Sequence, residues 1–164
     1  MKYGLDPAFR FDVSRAVYKG MLKYLSNRYG CEYTVQPLPV RDMSVEFGAD
    51  GKAVISWKTV EDRLEPTASP MGYIIYKRTG DGGFDKGTVI KEVKVVDGIC
   101  YHEADITPGE VVSFKVSAYN DGGVSFPSET VSIGLPLNDR NGNATKKVLL
   151  SYELEDSWSP CVQE

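Results

Sequence analysis

Residues 106–129 read ITPGEVVSFKVSAYNDGGVSFPSE, and the fold turns on them. The run VVSFKVSAYN (111–120) alternates for ten residues. A period of two sends successive side chains to opposite faces of a strand. Asp121-Gly122-Gly123 has turn chemistry, and residues 128–134 read as a further strand. Toward the N-terminus the same period holds back to Val40, with Met43, Val45 and Phe47 alternating with Ser44 and Glu46. Strands are expected at 40–47, 53–58, 71–78, 88–95, 99–105, 111–120 and 128–134. They are separated by turns at Ala49-Asp50-Gly51, Gly80–Gly83 and Asp97-Gly98, and by a long loop over 59–70 that is rich in Pro and charge. Seven strands at this spacing, with no helix between them, predict an antiparallel sandwich.

One segment breaks the pattern. Residues 14–30, SRAVYKGMLKYLSNRYG, follow Asp12, a good N-cap, so a helix is expected at 13–29. Val13, Ala16, Val17, Gly20, Met21, Tyr24, Leu25 and Tyr29 fall on one stripe, which is expected to be the half-buried side. Ser14, Arg15, Lys19, Lys23, Ser26 and Asn27 take the other side, and Gly30 is a natural stop. The following EYTVQPLP (32–39) is held extended by its two prolines.

These residues carry a family resemblance. Val54-Ile55-Ser56-Trp57 resembles the second strand of fibronectin type III domains, where a Trp is buried between the sheets. Tyr73-Ile74-Ile75-Tyr76 resembles the third. Pro108, Gly109, Ala118, Asn120, Gly123, Ser125, Pro127 and Ser128 match that family's Pro-Gly, strand, Ala-x-Asn-x-x-Gly-x-Ser-x-Pro-Ser pattern. The resemblance covers about residues 38–135. It implies a mainly β, seven-stranded immunoglobulin-like sandwich preceded by one amphipathic helix. The family usually has a tyrosine where Val112 stands. Its loss implies a looser corner at 107–110, or a substitute hydrogen bond.

The front of the chain looks like something else. DVSRAVYKGMLKYLSNRYG followed by YTVQPLPV resembles the last helix and exit strand of a bacterial zinc amidase-like domain. In bacterial proteins labelled xanthan lyase or N-acetylmuramoyl-L-alanine amidase, such a helix leads into a fibronectin type III domain. This resemblance spans roughly residues 6–40. It implies a piece of an exported parent acting on a cell-envelope or extracellular polymer, hence an extracellular, periplasmic or cell-surface location. The N-terminus itself has no signal-peptide h-region.

Composition narrows the function classes. The 164 residues carry a net charge of −4, spread unevenly. Residues 1–36 hold six Lys/Arg against three Asp/Glu, and the remainder 13 against 20. An acidic body argues against nucleic acid as partner, and a basic front is suited to lie against it. No apolar run approaches the ~20 residues of a membrane span. Cys31, Cys100 and Cys161 have no zinc-site spacing, and Cys100 reads as a small buried residue. The lone histidine, His102, lies on the opposite strand face from Glu103, so a shared metal is not expected. There is no Gly-x-Ser-x-Gly elbow. Glu61, Asp62 and Glu65 read as a solvated acidic loop and GDGGFDKG (80–87) as a hairpin turn. No catalytic set, cofactor or metal is expected, and the chain reads as a non-catalytic module.

Three regions result: 1–37, helix and Pro linker; 38–136, the sandwich; and 137–164, a polar loop and tail. The tail SYELEDSWSPCVQE holds four acids and no base. It is expected to be disordered unless Trp158 finds a groove. Because strand direction alternates, the start of the first strand, the 59–70 loop, the 120–126 loop and the helix should share one pole. Arg63, Tyr119 and Asp121 are the candidate binding residues there. Val17, Tyr18, Met21, Leu22, Tyr24 and Leu25 are the candidate helix interface, facing an adjacent domain of the same protein or a second copy. The alternatives are a carbohydrate-binding module, with Tyr3, Tyr18, Tyr33, Tyr119 and Trp158 as candidate aromatics, and a stand-alone polysaccharide lyase or hydrolase. A cell-envelope or extracellular glycan is the expected ligand class.

Overall fold

The computed structural model of the chain describes residues 4–48, 51–107 and 109–134. Val148-Leu149-Leu150, whose apolar run reads as a further strand, lies outside the described residues, as do the tail, Cys161, Tyr3 and Trp158.

The helix, α1 (Pro7–Tyr29), begins earlier than the expected Asp12 cap. Asp6 caps it instead, its Oδ1 accepting the Ala8 N–H at 2.9 Å, and Pro7 occupies the first turn. Proline costs nothing there because that N–H has no helical partner, and its φ is already helical. Gly30 ends the helix in the left-handed region, φ 63°, with its N–H returning to the Ser26 carbonyl.

Among the described residues nine strands follow: β1 (Arg41–Phe47), β2 (Lys52–Lys58), β3 (Gly72–Thr79), β4 (Thr88–Ile90), β5 (Lys94–Val96), β6 (Ile99–Asp105), β7 (Val111–Asn120), β8 (Gly123–Val124) and β9 (Val131–Gly134). One sheet has the order β1-β2-β6-β5, and the other has β4-β3-β7 with β8 and β9 both on the far side of β7. Every pairing is antiparallel. The strand expected at 88–95 is two short strands in different sheets. Between them 91–93 crosses the gap, so no single pairing could serve the whole run. The expected last strand begins at Val131, and β8 is an additional short hairpin arm.

The interruption between β8 and β9 explains Ser125-x-Pro127-Ser128. Proline has no N–H to give a ladder, and here the backbone leaves the strand path. Ser125 and Ser128 still donate their N–H groups to the carbonyls of Ala118 and Val116. Their hydroxyls accept the N–H groups of the same two residues at 3.0 Å each. Thus β7 stays satisfied along an edge that is not a strand.

Trp57, Ile55, Phe114, Val112 and Val116 are fully buried between the sheets. Each such side chain contributes about 1.5–3 kcal/mol. Trp57 packs edge-on to Tyr73 with centroids 5.1 Å apart, the position expected of it. Met43 and Val45 point inward as expected, but Phe47 at the strand end is exposed. Val112 lies in the core. The corner ahead of it is closed by the Glu110 N–H donating to the Thr107 carbonyl at 3.3 Å. Cys100 is buried, as expected.

Candidate functional site

Arg41 pairs with Lys58 and Gly72 with Tyr119, so the start of β1, the 59–71 loop and the end of β7 meet at one pole. Helix α1 docks there, but by the side expected to face water. Arg15 and Asp62 are each about nine-tenths buried, and the Arg15 guanidinium lies 3.0 Å from Asp62 Oδ2. Lys19 Nζ reaches the same oxygen at 3.1 Å. Arg15 Nη2 also donates to the Gln36 carbonyl at 3.1 Å. One turn on, Lys23 Nζ sits 3.4 Å from Glu65 Oε2, within ion-pair distance but without hydrogen-bond alignment. Tyr18 accepts the Gln36 N–H, and Phe11 packs edge-on to Phe126.

The expectations for both partners are therefore reversed. Asp62 and Glu65 are not a solvated acidic run but the anchor points of the helix. Burial by itself would push the Asp62 pKa up; the hydrogen bonds from Lys19, Arg15 and the Leu64 N–H outweigh it and hold the carboxyl below its ordinary range. Glu65 raises the pKa of Lys23. The stripe expected to be half-buried is exposed: Val17 is 59% exposed, Met21 61% and Tyr24 66%. Phe9, Val13, Leu25 and Tyr29 are exposed as well. Of the candidate interface residues, Tyr18 and Leu22 lie half-buried on the docked side, and Val17, Met21, Tyr24 and Leu25 lie on the outer one. The reason is electrostatic: once three cations of α1 neutralise two buried carboxylates, turning the helix over would strand those charges.

The docked pole is held by Asn120. Its amide Nδ2 donates to the carbonyls of Val35 (2.9 Å), Thr67 (3.1 Å) and Ser69 (3.2 Å), and its Oδ1 accepts the Gly122 N–H at 2.9 Å. One side chain thus ties the Pro linker, the loop and the β7–β8 turn together. Gly122 is required by close approach: a Cβ there would lie 2.4 Å from the Thr34 carbonyl oxygen. Asn120 stood in the sequence as a pattern residue, but nothing in the sequence named its three acceptors.

The other side of the 59–71 loop lines a groove of about 840 Å³ at the same pole. Its walls include Val60, Met71, Val93 and Val95, its floor is Tyr73 and Cys100, and Arg41, Arg63 and Lys91 stand around it. Tyr73 Oη is hydrogen-bonded to Thr59 Oγ1, and burial pushes the Tyr73 pKa up. At the mouth, Asp42 sits at φ 51° in a register shift of β1, a conformation Asp tolerates better than most residues. It accepts from Lys58 Nζ at 2.9 Å. Of the pole candidates, Arg63 lines this groove. Tyr119 lies half-buried over Gly72, and exposed Asp121 tips the β7–β8 turn; neither lines it.

His102 is half-buried on β6, paired in register with Ile55, and burial lowers its pKa against the opposing pull of Glu103. Asp85 shapes the 80–87 hairpin, accepting the N–H groups of Lys77 and Gly87. Among the described residues, no three His, Cys, Asp or Glu side chains group in a way that could hold a metal, and no helix is long and apolar enough to cross a membrane. Tyr18, Tyr33 and Tyr119 are each half-buried.

Two all-antiparallel sheets, ordered β1-β2-β6-β5 and β4-β3-β7-β8/β9 around a buried Trp, define an immunoglobulin-like β-sandwich, here with a helix docked on one pole. The chain is similar in structure to the twitchin kinase region from C. elegans, at 22% identity over 60% of this chain and 16% of that one, TM-score 0.47. It is also similar to the FN1–FN3 domains of chicken CNTN1, at 21% identity over 59% and 31%, TM-score 0.46. A myokine structure gives 24% identity over 62% and 100%, TM-score 0.45. The chain thus spans under a third of the twitchin and CNTN1 chains. No protein-family model and no curated protein matches the sequence.

Proposed function

We propose that the chain is a non-catalytic spacer and interaction module of a larger exported protein acting on polysaccharide or peptidoglycan, and that it contacts its neighbour through the outer face of α1. One observation carries this reading: a helix fixed by ion pairs on its polar side presents Val13, Val17, Met21 and Tyr24 to solvent. Contiguous apolar surface of this kind marks an interaction site more often than an ordinary monomer surface. The resemblance of residues 6–40 to the closing helix of an amidase-like domain supports an adjacent domain as occupant, with a second copy as the other arrangement.

Sedimentation velocity on the full chain and on Met21→Asp tests the reading. It expects concentration-dependent association in the wild type that the substitution abolishes without lowering the melting temperature. It also expects Met21 to become protected when the preceding coding sequence is restored. A wild type that stays monomeric at its highest soluble concentration, with Met21 still exposed in the longer polypeptide, overturns it.

A further inference from the structure

The polar groove and the acidic tail are chemical complements. Among the described residues, Arg41, Arg63 and Lys91 have no ion-pair partner, while Lys58 is paired with Asp42. That leaves three cations against the single carboxylate of Glu61 around one concavity, in a chain whose net charge is −4. Its volume of about 840 Å³ falls within the range of ligand sites, roughly 300–1,000 Å³. The aliphatic walls suit an apolar anchor and the cationic rim suits carboxylates on either side of it. Residues 152–158, YELEDSW, supply both: Glu153, Glu155 and Asp156 between Tyr152 and Trp158, with no base from 151 to 164.

We propose that residues 152–158 of the chain's own tail dock in this groove, Trp158 against the Val60–Met71–Val95 wall and the three carboxylates toward Arg41, Arg63 and Lys91. The reach is sufficient. The last strand residue, Gly134, pairs with Val111, so it lies at the pole away from the groove. The ten residues of β7 span about 33 Å. The eighteen residues from Gly134 to Tyr152 extend to about 60 Å. Tethering also raises the local concentration of the segment to the millimolar range, so a weak site suffices. The groove is preferred over the outer face of α1 because it is concave and its cations are unpaired. Loop 59–71 forms one wall of the groove while its Asp62 and Glu65 are pinned by the helix, which holds that wall in place without the ligand.

Acrylamide quenching of tryptophan fluorescence in the full chain tests this, because Trp57 is fully buried and Trp158→Phe isolates the second indole. The expected result is a quenching constant for Trp158 several-fold below that of the free peptide SYELEDSWSPCVQE. It should rise to the free-peptide value in Arg63→Glu/Lys91→Glu and at high salt, with the circular dichroism unchanged, and stay low in Met21→Asp. Protection should not depend on protein concentration. Trp158 quenched like the free peptide in the wild type overturns the proposal. So does protection that survives the double charge reversal, that is lost in Met21→Asp instead, or that appears only as concentration rises, which would place the tail on the helix face or in a second copy.

Discussion

Arg15 of α1 and Asp62 of the 59–71 loop form a buried ion pair at 3.0 Å across forty-seven residues of sequence. Removing the cation leaves the carboxylate buried with Lys19 as its remaining charged partner. Arg15→Ala should therefore cost about 3 kcal/mol, the low end for breaking a buried pair. Denaturant midpoints check the size of the loss. Hydrogen exchange should show the α1 amides opening before the sheets.

The same site has an acid dependence. The folded state holds the Asp62 pKa below its unfolded value, so its contribution is complete above about pH 4 and is lost as pH falls through the lowered folded value. His102 acts at milder acidity. Burial lowers its pKa in the fold, so below about pH 6.5 the unfolded chain takes up the proton first and stability declines as pH falls. Denaturation from pH 7 to 3 should show both steps. Asp62→Asn should remove the lower one and His102→Gln the upper.

Asn120 satisfies three carbonyls from two segments and one turn N–H. At about 0.5–1.5 kcal/mol per hydrogen bond, Asn120→Ala should cost roughly 3 kcal/mol. Asn120→Asp should be worse, since it turns an acceptor toward three carbonyl oxygens. Thermal melts rank the two variants.

Val112 is fully buried. Placing a tyrosine at this position should therefore not tighten the 107–110 corner. Val112→Tyr should overpack the core by about 1–3 kcal/mol, measured by urea denaturation.

On the outer face of α1 the expectation is the opposite. Val17→Lys should change the stability of the monomer by no more than about 0.5 kcal/mol. A loss of several kcal/mol would mean that this face, not the Arg15 face, is the docked one.

Much of this was legible in the sequence. Strand positions followed from the period of two, the buried Trp57 from its apolar run, and the helix from its own local pattern and stop. Those features depend on residues close together in the chain. What failed was whatever depended on distant residues. One local feature was missed as well: α1 starts at Pro7 rather than after Asp12, because Asp6 and Pro7 supply a cap and first turn of their own. The run at 88–95 divided between sheets because alternation cannot say which neighbour a strand pairs with. Above all, the apolar stripe of α1 established that a helix would form, but not which side would meet the sandwich. That was decided by two carboxylates in a distant loop, Asp62 and Glu65, whose burial is tolerable only with Arg15, Lys19 and Lys23 laid against them.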